Sequence, residues 1–94
     1  MELVWTPEAI QDRDDIYEYL GPESPLAVLT LDELFSEQAA QLVGHPDSGR
    51  LGRAPRFREL VVHPSYMLIY DIVGMQVRIL RVVHTSRQWP PSLG

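Results

Sequence analysis

The 94 residues, 45% of them apolar, suffice for one small core, and the whole span 1–94 is expected to form a single domain. The absence of cysteine excludes a disulfide framework and a thiolate metal site, the three dispersed histidines match no zinc-ligand spacing, and no cofactor is implied. The net charge of −5 divides into −9 over residues 1–43 and +4 over residues 44–94, which predicts an acidic helical side and a basic strand side.

Every basic residue is Arg. Its planar fork suits phosphate or carboxylate, although an arginine-rich genome explains the missing lysine equally well. No apolar run approaches the roughly 20 residues of a membrane helix. The opening Met1-Glu2-Leu3-Val4-Trp5 lacks the basic lead of a signal peptide, so no membrane association and a cytoplasmic location are expected.

Residues 2–5 predict a short strand with Leu3 and Trp5 on one side. Thr6-Pro7-Glu8 is a helix start, with Thr as N-cap, Pro at the first helical position and an acid in the first turn. Ala9, Ile10, Arg13, Ile16, Tyr17 and Leu20 recur at helical spacing, Asp12, Asp14, Asp15 and Glu18 take the solvated face, and Gly21-Pro22 stops the helix. Ser24-Pro25 repeats the start signal. The second helix should reach about Val43, with a stripe of Ala27, Leu31, Leu34, Phe35, Gln38 and Leu42 and with Asp32, Glu33 and Glu37 solvated. The short breaker predicts an antiparallel helical hairpin.

Residues 44–57 have the composition of a loop, with Arg50, Arg53 and Arg56 as candidate binding residues or as members of a solvated connector. Three strands follow: Arg58–Val62, Tyr66–Val73 after the His63-Pro64-Ser65 turn, and Gln76–His84 after Gly74-Met75. Residues 85–94, with adjacent prolines, should be an extended tail. The predicted class is α+β, in the order β-α-α-β-β-β.

Chemistry-bearing residues concentrate in the second half. His63 could serve as a general base or simply bond to backbone at its turn. His84 closes the last strand near Arg87 and Trp89, a grouping able to hold and stack a nucleotide or to cap the core. His45 fits a helix end. Strand alternation separates Arg78 from Arg81 and puts Arg81 on the face of Val77, Ile79 and Val83. Arg58 could join Arg81 or Arg87 on an exposed face, or pair with an acid such as Asp15. Tyr66 and Tyr70 share a strand face and fit a core. Trp89 fits a lid on the sheet or a partner hot spot.

Trp5-Thr6-Pro7-Glu8-Ala9 with Asp14-Asp15-Ile16, His45-Pro46 with Gly49-Arg50, Arg58-Glu59-Leu60, Tyr66-Met67-Leu68-Ile69-Tyr70 and His84-Thr85-Ser86-Arg87-Gln88-Trp89-Pro90 together resemble the RelE/ParE toxins of bacterial type II toxin–antitoxin systems. The resemblance implies a curved, mostly antiparallel sheet with the two-helix hairpin on one face. It implies a cognate antitoxin as partner, expected to be a disordered segment that folds on binding and sets acidic side chains over the sheet-side arginines. It also implies one of two targets. RelE-type members cut mRNA on the ribosome without a metal, a role in which Arg58, Arg81 and Arg87 would stabilise phosphate, His84 or His63 would move protons, and Tyr66 or Trp89 would stack a base. ParE-type members interfere with DNA gyrase. Arg58 and Arg87 stand where RelE-type enzymes are basic, but Leu60 and Met67 occupy two further positions that are often basic there, and the ending His-x-x-Arg-Gln-Trp-Pro leans toward ParE. An inactive relative that only binds antitoxin is the third alternative.

Overall fold

The computed structural model describes residues 1–52 and 56–86. Its elements are β1 (Glu2–Trp5), α1 (Pro7–Leu20), α2 (Pro25–Gly44), β2 (Arg50–Leu51), β3 (Arg58–His63), β4 (Tyr66–Val73) and β5 (Gln76–His84). The expected α+β order holds, with one addition: two residues of the supposed loop 44–57 form the edge strand β2. The tail expected over residues 85–94 lies outside the described residues from 87 onward.

The five strands form one open sheet in the order β1-β5-β4-β3-β2. All neighbours are antiparallel except β1 and β5, which run parallel. The helical hairpin covers one face. Phe35, Leu31, Ala39 and Leu42 of α2 and Ala9 of α1 pack there against Leu68, Tyr70, Val77, Ile79 and Val82. Leu3 and Trp5 join this core, as alternation along β1 requires.

The helix starts follow their caps. Thr6 accepts a hydrogen bond from the Ala9 amide, and its hydroxyl donates to the backbone of β5. Ser24 makes no such side-chain bond. The buried stripe of α2 begins at Val28 instead of the expected Ala27, which is exposed. On α1, Ile10 and Tyr17 flank the buried stripe and are half exposed. Among the described residues, no helix is long and apolar enough to cross a membrane.

Two interruptions of strand register decide where side chains point. Between Val61 and His63 one extra residue enters β3, so His63 lies opposite Tyr66 while Val62 also packs on the core. In β5, Tyr70 faces Ile79 but Ile69 faces Arg81, leaving Leu80 as the inserted residue. An insertion of one residue reverses the alternation beyond it. The core positions of β5 are therefore Val77, Ile79 and Val82, and Arg81 does not share a face with Val77 and Ile79 as simple alternation predicts.

Candidate functional site

Three side-chain groups surround the sheet, and each ties residues of distant elements. The first centres on Tyr70, which is fully buried in β4. Its hydroxyl donates to the Pro46 carbonyl at 2.7 Å and accepts from the Gly49 amide at 2.9 Å. Arg58 donates to the Gly49 carbonyl at 3.0 Å and reaches the Asp47 carboxylate at 3.5 Å. Arg50 pairs across the strands with Glu59 at 3.1 Å. Together these bonds fasten the segment after α2 onto β3 and β4. Arg58 thus holds the loop, and it does not reach an acid of α1.

Burial, opposed by the Gly49 hydrogen bond and by Arg58, raises the Tyr70 phenol above its ordinary 10.0. A group whose folded value is raised contributes stability that is complete below its unfolded value and is lost as pH rises through the folded one. Stability should accordingly fall as pH climbs past about 10, and Tyr70→Phe should flatten that fall. Urea unfolding of both proteins between neutral and strongly alkaline pH checks this; parallel curves would contradict it.

The second group is a clasp between α1 and β5. The Asp12 carboxylate accepts from Arg81 Nε at 2.7 Å and Nη2 at 2.9 Å, and also from the Val82 amide at 2.9 Å. The Asp12 hydrogen bond is the main cause that raises the Arg81 guanidinium above its ordinary value. Asp12 is therefore not on a purely solvated face. It lies where a longer β1 would have met β5, because β1 ends opposite Ile79. Helical spacing sees only one element at a time, so nothing in the sequence of α1 singled it out.

The third group is a row across one end of the sheet. Tyr66 stands between His63, at 6.0 Å between ring centroids, and His84, at 5.6 Å, and meets the Phe35 ring edge to face at 5.8 Å. Both imidazoles use Nδ1 as an acceptor, His63 from the Ser65 amide and His84 from the Ser86 amide. The turns that carry them are joined, since Thr85 donates through its amide to Ser65 and through its hydroxyl to Pro64. A cleft of about 560 Å³ opens beside the row, between α1 and the end of β5.

Of the expected site residues, Tyr66, His63 and His84 are brought together. Arg58 and Arg81 are not: each has its own carboxylate partner, on opposite sides of β4. Arg50, on β2, and Arg56 are exposed, and Arg56 borders a cleft with Asp71, Arg78 and Arg81. Arg53, Arg87 and Trp89 lie outside the described residues. His45 sits at the end of α2 as expected, its amide bonded to Gln41. Arg78 is matched by Asp71, a buried acid that the strand pattern did not flag, at 2.8 Å.

Comparison with known proteins agrees with this architecture. A family model described as the ParE toxin of the type II toxin–antitoxin system parDE matches residues 3–89. Toxin RelE2 of Caulobacter vibrioides is 37% identical over 86 residues, covering 92% of this chain and 97% of the relative. Putative toxin Y4kP of Sinorhizobium fredii is 33% identical over 89 residues, covering 95% and 93%. Among solved structures, the chromosomal ParDE system from P. aeruginosa superposes with a TM-score of 0.80 at 27% identity, covering 89% of this chain and 95% of that one. The YoeB/ParE toxin from Agrobacterium tumefaciens shares the fold with a TM-score of 0.61 at 16% identity, covering 89% and 98%.

Proposed function

Because the chain belongs to the ParE toxin family of type II toxin–antitoxin systems, we propose that it arrests growth by interfering with DNA gyrase in the cytoplasm and is neutralised by a cognate antitoxin. The supporting observation is the state of its arginines. Cutting RNA requires a proton acceptor, a proton donor and cationic stabilisation of the phosphorane. Here Arg81 is clasped by Asp12 and Arg58 is engaged with Gly49 and Asp47. Leu60 and Met67 place apolar groups where RelE-type enzymes are often basic, and Met67 is buried. Arg56, which is exposed, and Arg50, whose side chain stays 70% exposed beside Glu59, are the residues we assign to contact with the target.

The second reading, a ribosome-dependent endoribonuclease, is favoured by the row of His63, Tyr66 and His84, which sets two imidazoles on either side of an aromatic ring. Two measurements separate the readings. Purified protein should inhibit gyrase supercoiling and accumulate cleaved DNA, and Arg50→Ala with Arg56→Ala should weaken that effect about tenfold, the scale of one or two exposed charged contacts. Mapping mRNA 5′ ends after brief induction should show no new ends within codons. Translation-dependent ends, lost in His84→Ala, would replace gyrase with the ribosome. Unaltered growth would leave only antitoxin binding.

A further inference from the structure

We infer that the edge of β5 beyond Ile79 is a docking edge for an extended, basic peptide segment of a partner protein. β1 covers β5 only from Gln76 to Ile79. There the chain leaves for α1, the Thr6 amide donating to Ile79 and its hydroxyl to the carbonyls of Ile79 and Leu80. From Arg81 to His84, among the described residues, no strand lies on that side.

The phase of the ladder shows which backbone groups are open. Val82 lies opposite Leu68, yet its amide donates away from β4, to Asp12. In an antiparallel ladder such a residue turns both its N–H and its C=O outward, and so does the residue two positions on. His84, opposite Tyr66, is that residue. The amide of Thr85 bonds inward to Ser65, as the alternate phase requires. The Val82 carbonyl and the His84 amide and carbonyl therefore point into the cleft, whose facing wall is Asp15, Ile16 and Tyr19 of α1. An added strand would supply the missing ladder.

The charge of the occupant follows from that wall. Arg81 balances Asp12, whereas Asp15 is exposed and, among the described residues, accepts only from the neutral Gln11 amide. Tyr19 is 80% exposed beside it. An Arg or Lys side chain standing out of an added strand toward α1 meets a carboxylate and an aromatic ring, a pairing that favours a cation and repels an acid. The remaining surface of α1 adds Asp14 and Glu18 to the same sign. The inference rests on this edge alone and is independent of the gyrase reading.

The test uses the whole labelled chain and synthetic peptides. An alternating Arg-Val heptapeptide should shift the His84 amide resonance and slow its hydrogen exchange about tenfold near saturation. An alternating Glu-Val peptide should not. An Arg-Pro peptide of equal charge, which lacks every second amide donor and so cannot form a regular ladder, should bind at least about tenfold more weakly. Asp15→Asn should weaken the Arg-Val peptide about threefold to fivefold, the range for one exposed charged contact. The proposal is overturned if the His84 amide does not respond, if the acidic or proline peptide binds as well, or if Asp15→Asn changes nothing. Protection of the same amide by self-association, without peptide, would likewise overturn it in favour of a second copy as occupant.

Discussion

Replacing Asp12 by alanine is expected to destabilise the protein by about 2–3 kcal/mol, which for a domain of this size lowers the melting temperature by roughly 10–20 °C. One side chain accepts three hydrogen bonds, two from Arg81 and one from Val82. Its carboxylate is only 12% exposed, while the Arg81 side chain is 39% exposed. Water can therefore screen the released guanidinium, which keeps the effect below the 3–5 kcal/mol typical of a fully buried pair. The Val82 amide also loses its acceptor and must find another in the cleft beside it. Asp12→Asn should recover part of the loss, since an amide oxygen can still receive Val82 while the charge is gone. Exposed Asp14 provides the control. If thermal unfolding of Asp12→Ala matches that of Asp14→Ala, the clasp contributes nothing.

The second large effect lies on the opposite edge. A β-carbon at Gly49 would stand 2.6 Å from the Tyr70 ring and hydroxyl and 2.9 Å from the Glu59 carbonyl. Neither neighbour can yield easily: Tyr70 is fully buried, and the carbonyl belongs to β3. Gly49→Ala should cost about 2–3 kcal/mol through overpacking and through displacement of the bond between the Gly49 amide and Tyr70. Removing the hydroxyl with Tyr70→Phe relieves one of the two close contacts to that residue. The double variant should thus be less destabilised than the sum of the singles, by about 1 kcal/mol. Strict additivity in urea unfolding, or a loss below about 0.5 kcal/mol for Gly49→Ala, would mean that the segment after α2 shifts aside freely.

What the sequence could and could not convey follows from the range of the forces involved. The cap at Thr6, the prolines opening both helices and the apolar runs of β3, β4 and β5 are local signals, and the structure agrees with them. The insertions at Val62 and Leu80 carry no composition of their own, so the face of Arg81 came out wrong by alternation. Asp12 reads as an ordinary surface acid and Asp71 carries no signal of its own, because their partners are 69 and 7 residues away along the chain. Tyr66, His63 and His84 are each legible in the sequence as chemistry-bearing residues. That they form a single row depends on strand register, which the sequence does not display. The family was readable from several short motifs in order; the molecular target was not, since it depends on which cations are free.

The parallel pairing of β1 with β5 also governs when the molecule can finish folding. Thr6 and Ile79, joined by a hydrogen bond, are 73 positions apart. β5 lies between β1 and β4, so the sheet has no continuous middle until the last strand is available. Contacts of such long sequence separation form late, after the entropy of closing the intervening chain has been met. During synthesis the helical hairpin can assemble early, while the strand that precedes it waits unpaired until β5 has emerged. A fold connected this way completes its sheet only once β5 is available, and a partner already present before then meets it half-assembled.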